Sequence, residues 1–296
     1  MPAVLPAAPA LPEDNDETQD SEELSVREWK TIGTHSAEVA HAVDVLTAAL
    51  ALDSRLRWCL RLAALWHDIG KSHGAFQGVI RGDGRPNRQD LAKAPESAWP
   101  RGACRFGIEA DPRPGFRHEL ASALALFAML ATYAPEHAAL LGPWTGVLAK
   151  FGHQIPAGRA VPEGSADISD LLSLCAEDFD LLVYEVASHH GKVRVGLHAA
   201  PKDQDYETRD DRGMPVRGVR NGDTLAALPG LEITLEPAAM GLSPRTGRSW
   251  RDRVSGLLAR FGPCALAYLE ALMRAADVRA SRLDTVDPLL QKEVQA

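Results

Sequence analysis

The stretch Ala63-Ala64-Leu65-Trp66-His67-Asp68-Ile69-Gly70-Lys71 decides how this chain is read. It keeps the apolar character of a buried helix as far as Trp66, then sets an imidazole beside a carboxylate and meets a glycine able to take the left-handed turn that closes a helix. Imidazole nitrogen and carboxylate oxygen are the ligand pair that borderline divalent metals accept. Adjacency lets the aspartate lie between two ions while the histidine holds one of them. A capped helix end without chemistry explains the dipeptide equally well, so the other histidines decide.

Working outward, Val39, Ala40, Val43, Leu46 and Leu50 predict a helix from about Thr34, with Thr34 or Ser36 as N-cap and His35 at its start. A second helix runs from about Asp53 to His67, striped by Leu56, Leu60, Ala63 and Ala64. Leu120, Ala121, Leu124, Phe127, Ala128 and Ala131 predict another from about Arg117, with His118 in its first turn; a shorter one is expected through Pro143 to Phe151. From about Asp178 the stripe Leu181, Leu182, Val183, Val186 and Ala187 ends in Ser188-His189-His190-Gly191, a second helix finishing in metal-competent side chains before a glycine. The last helix opens near Gly262-Pro263, with proline at its first position, and its stripe Leu266, Leu269, Leu272, Met273 and Ala276 brings in Asp277.

The class is therefore all-α, a helical bundle with irregular insertions at 78–116 and 192–250. The β-like piece Leu231 to Leu235 leaves room for a small hairpin in the second insertion. The first is rich in Gly, Pro and Arg (Arg81, Arg85, Arg88, Arg101, Arg105, Arg113), which predicts a basic surface excursion. Residues 1–28, Ala/Pro-rich and then acidic, read as a disordered leader or linker; 29–285 form the domain and 286–296 a tail.

The net charge of −8 at first argues against a nucleic-acid partner, but residues 1–30 hold a net −6 of it and leave only −2 for the rest. No apolar run approaches the roughly eighteen residues a membrane span needs, so no membrane partner is expected and the cytoplasm is the expected home. Cys59, Cys104, Cys175 and Cys264 are far apart and form no CxxC pair, which excludes a zinc knuckle or a disulfide framework.

In chain order the chemistry-bearing residues are His35, His67-Asp68, His118, His189-His190 and Asp277, each at the end or on the apolar face of a predicted helix. A carboxylate on a buried stripe costs roughly several kcal/mol unless it is paired, protonated or metal-bound. Two divalent ions, held by ligands from separate helices meeting in a bundle core, are the simplest partner for it.

The order H…HD…H…HH…D resembles the HD phosphohydrolase superfamily. The wording around it (His67-Asp68-Ile69-Gly70-Lys71 with Phe76-Gln77, then His189-His190-Gly191, then Ala275-Ala276-Asp277 with Ser281) resembles the HD nuclease domain of the CRISPR-associated helicase-nuclease of type I systems. The tract Gly213 to Leu228 and the helix from Pro263 to about Ser281 look most like the type I-U (I-G) branch, and the resemblance covers about residues 30–285. It implies an HD-domain bundle and one ion on His35, His67, Asp68 and Asp277. The second ion would sit on Asp68, His118, His189 and His190, with Asp68 as the bridge.

Two ions about 3.5–4 Å apart share an activated water and stabilise the oxygens of an in-line phosphoryl displacement. Mn, Mg, Ni, Co or Fe would serve. Asp68 and Lys71 are the implied catalytic residues, with Lys71, Arg194, Arg217 and Arg220 on the substrate; Gln77 and Ser281 are supporting positions. Glu119 and Glu185 are placed to orient imidazoles, and His153 is a further candidate ligand. Gly70-Lys71-Ser72 is not a phosphate-binding loop, because that motif needs Gly where Leu65 stands. The nuclease of this family is usually fused to an ATP-driven helicase, so the chain resembles a separately encoded subunit or an excised domain. The implied function is hydrolysis of single-stranded DNA in antiviral defence, with a helicase and an RNA-guided surveillance complex as partners. An HD phosphohydrolase acting on a nucleotide or cyclic nucleotide is the alternative, and a silent docking module is disfavoured because every ligand type is present.

Overall fold

The structure, a computed structural model, describes residues 25–288 apart from 27, 101–105, 109–110, 114, 142–143, 153, 164, 192, 194, 198, 200, 207–210, 229–230, 242–245 and 284–286. The leader up to residue 24 and the tail from residue 289 lie outside the described residues, as do Arg101, Arg105, His153, Arg194 and His198.

Thr31 starts the helical body. Its hydroxyl accepts the Thr34 amide and caps α1 (Ile32–Ala49), so the N-cap lies three residues before the expected Thr34. Asp53 caps α2 (Ser54–Trp66) by accepting the Arg55 and Leu56 amides, as the sequence predicts. A one-turn α3 (Gly74–Gln77) follows, and then α4 (His118–Tyr133), buried without a break from His118 to Phe127. Leu120, Leu124 and Phe127 of α4 are at most 1 % exposed, each burial contributing about 1.5–3 kcal/mol. Three short helices, α5 (Ala138–Leu141), α6 (Thr145–Lys150) and α7 (Ala166–Leu172), lead into α8 (Ala176–Ser188) and finally α9 (Trp250–Ser281). Helix α8 packs on α2, α4 and α9, and α1 packs on α2 and α9, so the ends of α2 and α8 meet the N-terminal turns of α1 and α4.

Helix α9 departs from expectation. It begins at Trp250 and breaks at Gly262 (φ 73°, ψ 161°), after which Pro263 takes the first helical position as predicted. By length and composition it is the one described helix able to cross a membrane, with hydropathy 1.2 in its most apolar window. Its inward face nevertheless carries Glu270 and Asp277 against α1 and α8.

The strands are short. β1 (Ser25–Val26) and β2 (Lys30–Thr31) flank β3 (Leu91–Pro95), β1 parallel and β2 antiparallel. β4 (Phe106–Ile108) pairs with β5 (Asp111–Arg113), and β6 (Thr224–Leu228) with β7 (Leu231–Thr234), which realises the expected hairpin. Ordered contacts extend past the predicted limits of 29 and 285, since Ser25 pairs with Ala94 and the Thr31 amide donates to Asp287 Oδ2 at 2.7 Å. Within 78–116, residues 81–90 lie at the surface as expected, but Leu91 to Ala94 are at most 1 % exposed and Arg113 is buried, which corrects that expectation for β3 and β5.

Candidate metal centre

Helix α2 stops at Trp66, and His67 and Asp68 follow just before a 3₁₀ turn, Ile69–Ser72, that lies directly on α4. The Gly70 amide donates to Ser122 Oγ at 2.8 Å, and a Cβ on Gly70 would lie 2.2 Å from the His118 carbonyl oxygen. Glycine is required there for close approach and not for the left-handed turn the sequence suggested; Gly70 is absent from the positive-φ positions. Gly191, after α8, does take that conformation at φ 73°. The contact locks the His-Asp pair against the start of α4, where His118 stands.

All seven predicted ligands converge. Asp68 Oδ2 lies 3.4 Å from His67 Nε2 and 3.7 Å from His35 Nε2, while Asp68 Oδ1 lies 3.4 Å from His118 Nε2. His35 Nε2 meets Asp277 Oδ1 at 2.9 Å, and the Nε2 atoms of His118 and His190 are 3.2 Å apart. The His67 and His189 rings stand edge to face, with centroids 5.1 Å apart. Three groups have ligand atoms mutually within 4.8 Å, namely His35/His67/Asp68, His118/His189/His190 and His67/His189/Asp277.

The hydrogen bonds fix two tautomers. His67 Nδ1 lies 2.8 Å from the Ala64 carbonyl and His189 Nδ1 2.7 Å from the Val186 carbonyl. A carbonyl only accepts, so each Nδ1 carries the proton and each Nε2 presents a lone pair. Those two nitrogens and Asp68 Oδ1 are buried with no hydrogen-bond partner among the described residues. Buried acceptors with nothing to accept from are rare in proteins. Two neutral imidazoles and a carboxylate oxygen are the donor set a divalent cation takes, so the residues fit a metal, with the second ring nitrogen of each histidine anchored to its own helix.

Electrostatics agree. Burial pushes the His118 imidazole down to about 3, helped by the nearby Lys71 charge, and burial holds His67 and His189 below the ordinary range. Burial alone would raise Asp68, but His67, Lys71 and His118 more than offset it and keep the carboxylate ionised. Asp277 is likewise held low, against burial, by Lys93 and His35. Burial thus disfavours charge on the three imidazoles, while neighbouring cations favour charge on the two carboxylates, the balance that metal ligation uses.

Lys71 is buried, and its Nζ donates to Asp68 Oδ2 at 2.8 Å. Gln77 donates from Nε2 to the Lys71 and Leu91 carbonyls, clamping the 3₁₀ turn to β3, and Ser281 Oγ donates to Asp277 Oδ1 at 3.3 Å. Glu119 is buried with Oε2 3.6 Å from His118 Nδ1, where it can orient that ring. Lys93 was missed by sequence reasoning; it is 1 % exposed on β3 with Nζ 3.9 Å from Asp277 Oδ1. The available signal was a lone lysine inside the otherwise apolar Leu91-Ala92-Lys93-Ala94.

Two expectations are corrected. Arg220 does not face substrate, because it is fully buried and its guanidinium donates to Tyr206 Oη at 2.7 Å and the Gly213 carbonyl at 3.0 Å. Glu185 does not orient His189, whose Nδ1 is taken by Val186. Its carboxyl has no hydrogen-bond partner among the described residues, and burial together with the neighbouring Glu270 raises it well above the ordinary carboxylate range. His73 is buried, stacks on Phe116 and lies 3.2 Å from Asp223 Oδ2. Arg113 donates to both oxygens of the same Asp223 at 2.9 Å, which ties the two insertions together beside the centre.

Arg217 occupies a tight turn between Val216 and Val219, with φ 52° for a residue that carries a Cβ. Its amide and that of Gly218 donate to Asp203 at 2.8 Å, and its carbonyl accepts the Arg117 amide at 3.0 Å, one residue before His118.

A helical bundle that closes H…HD…H…HH…D onto one cluster has the architecture of an HD domain, and the His/Asp groups gathered there could hold a metal. The family model described as "Cas3, HD domain" matches residues 16–260, and the chain belongs to that family, which makes it a metal-dependent HD nuclease domain of CRISPR defence. No curated protein and no solved structure matches it. The matched span ends before Asp277, whose place in the centre rests on the geometry.

Proposed function

We propose that the chain hydrolyses phosphodiester bonds of single-stranded DNA at a centre of two divalent ions, in type I antiviral defence alongside a helicase and an RNA-guided surveillance complex. The observation that carries this reading is the set of buried, partnerless acceptors His67 Nε2, His189 Nε2 and Asp68 Oδ1 inside a cluster of seven candidate ligands. His35, His67, Asp68 and Asp277 would hold one ion, and Asp68, His118, His189 and His190 the other. The groups His35/His67/Asp68 and His118/His189/His190 support that division. The bound ions supply an activated water and charge stabilisation for an in-line displacement, so no side-chain nucleophile is needed. Mn, Mg, Ni, Co or Fe suits the donor set.

The protein's own part is positional. Asp68 offers one oxygen to each half of the cluster, and the carbonyls of Ala64 and Val186 fix the rings of His67 and His189. His118 and His190 are the more exposed members, so substrate approaches from their side. Lys71 supplies a cation beside Asp68 for the phosphate or its leaving oxygen, and Arg217 a phosphate contact next to the start of α4. The resemblance of Gly213 to Leu228 and of the α9 half after Pro263 supports the type I-G branch.

The test offers single-stranded DNA, duplex DNA and a nucleotide panel to the purified chain with Mn²⁺. Cleavage of single strands, abolished in Asp68→Ala at unchanged folding, is the expected outcome. Turnover of nucleotides alone would overturn the reading.

A further inference from the structure

Two lysines from separate elements close on this centre from inside the protein. Lys71 Nζ donates to Asp68 Oδ2 at 2.8 Å, and Lys93 Nζ lies 3.9 Å from Asp277 Oδ1. Both are 1 % exposed. The same Asp277 oxygen is met by His35 Nε2 at 2.9 Å and Ser281 Oγ at 3.3 Å. Each of the two carboxylates therefore faces an ammonium; the Lys71 charge also reaches His118, whereas the Lys93 contact falls on the Asp277 side. On the other side, Asp68 Oδ1 and His189 Nε2 have no hydrogen-bond partner among the described residues, and His118 and His190 complete the group.

We propose that Lys71 and Lys93 are internal counter-ions and that Lys93, on the Asp277 side, makes the two halves of the centre unequal. A divalent cation fills the His118/His189/His190 half first, and enters the His35/Asp277 half only in competition with the Lys93 charge as well as that of Lys71, which both halves share. The inference rests on reading the cluster as a two-ion centre and adds to it the order of loading and the residue that sets it.

The physical reason is a difference in what each ion displaces. In the first half the cation meets the Nε2 atoms of His118, His189 and His190 and Asp68 Oδ1, and displaces the contacts of His118 with His190 and Asp68 but no ammonium. In the second it must draw Asp68 Oδ2 from Lys71 and Asp277 Oδ1 from His35, and then sit beside both ammonium groups. Repulsion at such separations is strong inside a protein, where screening is weak. Lys71, once displaced from Asp68, becomes a cation free to meet an incoming phosphate, which links filling of the second half to anionic substrate. Lys93 acts through Asp277 and is a positioning residue.

The experiment is calorimetric titration of the EDTA-treated full chain with Mn²⁺, with thermal melting before and after saturation. The expected wild-type result is two binding classes at least about tenfold apart in affinity. Lys93→Met should tighten the weaker class by about tenfold or more and lower the melting temperature of the EDTA-treated chain, with Mn²⁺ restoring it. Lys93→Arg should keep the wild-type gap, and His190→Asn should remove the stronger class. If Lys93→Met fails to fold, Lys93→Gln provides the same comparison. Two equal sites, a single ion per chain, or a gap unchanged by the lysine variants overturns the proposal while Mn²⁺-dependent cleavage still stands. A chain that binds no Mn²⁺ overturns it together with the metal-centre reading.

Discussion

Replacing Gly70 with alanine separates two opposite expectations. Where the backbone already suits an L residue, Gly→Ala stabilises by about 0.4–1 kcal/mol by restricting the unfolded chain. Gly70 lies in a 3₁₀ turn without positive φ, so that argument alone predicts a gain. The added Cβ, however, would stand 2.2 Å from the His118 carbonyl oxygen, 2.7 Å from the Ser122 amide nitrogen and 2.8 Å from Ser122 Oγ. Two of these are backbone atoms of a buried helix and cannot rotate away. Ordinary contact distances require the turn to back off α4 by on the order of 1 Å, at about 1–3 kcal/mol for overpacking. The buried bond from the Gly70 amide to Ser122 Oγ is lost with it, for about 1–3 kcal/mol more. The net expectation is a loss of about 2–5 kcal/mol by chemical denaturation.

The same displacement moves Asp68 from His118, now 3.4 Å apart, so Mn²⁺ affinity falls in whatever fraction stays folded. A misplacement of that size costs on the order of a hundredfold in turnover. Stability equal to or above wild type, with unchanged Mn²⁺ binding, would refute the claim that close approach fixes the two parts of the centre.

Glu185 provides a pH test with a defined sign. A carboxyl whose folded value is raised binds its proton on folding, so its contribution is complete below the ordinary 4.5 and is lost as pH rises through the folded value. Glu185→Gln should therefore stabilise the protein above that range, by up to about 1.4 kcal/mol per pH unit, and a variant as pH-sensitive as wild type in denaturant titrations would contradict the assignment. Arg217→Gly should relieve the φ 52° backbone and raise stability by about 0.5–1 kcal/mol, yet weaken single-stranded DNA binding and flatten its salt dependence by about one counter-ion. Binding measured across salt that matches wild type would remove Arg217 from the interface. Arg220→Met should cost about 1–3 kcal/mol by removing the buried donor to Tyr206 Oη and the guanidinium's contact with the Tyr206 ring, with the salt dependence of DNA binding unchanged in the folded fraction.

The helices were legible because their stripes are long and their ends chemically marked. Asp53 before α2, His118 after Arg117 and Gly191 after His190 stand where periodicity stops. Strand β3 was hidden because Leu91 to Ala94 are buried on both faces and so show no alternation, and because they follow an Arg-rich tract that reads as loop. The first half of α9 escaped for a related reason. Arg251, Asp252, Arg253 and Arg260 break its stripe, although Arg253 is buried against Asp180. Nothing local distinguishes Arg220, which packs on Tyr206, from Arg217 three residues earlier, since the difference lies in partners that only the fold supplies. The convergence of His35, His67, Asp68, His118, His189, His190 and Asp277 was legible because each stands at an end or on the apolar face of a predicted helix, while their division between ions came from the family resemblance.

The most direct measurement is an anomalous-difference map from crystals of the chain soaked in Mn²⁺. The account predicts density enclosed by His67, Asp68 and His189, with His35 and Asp277 on one side and His118 and His190 on the other. Full Mn²⁺ occupancy elsewhere on the chain, with no density among those seven side chains, would contradict it.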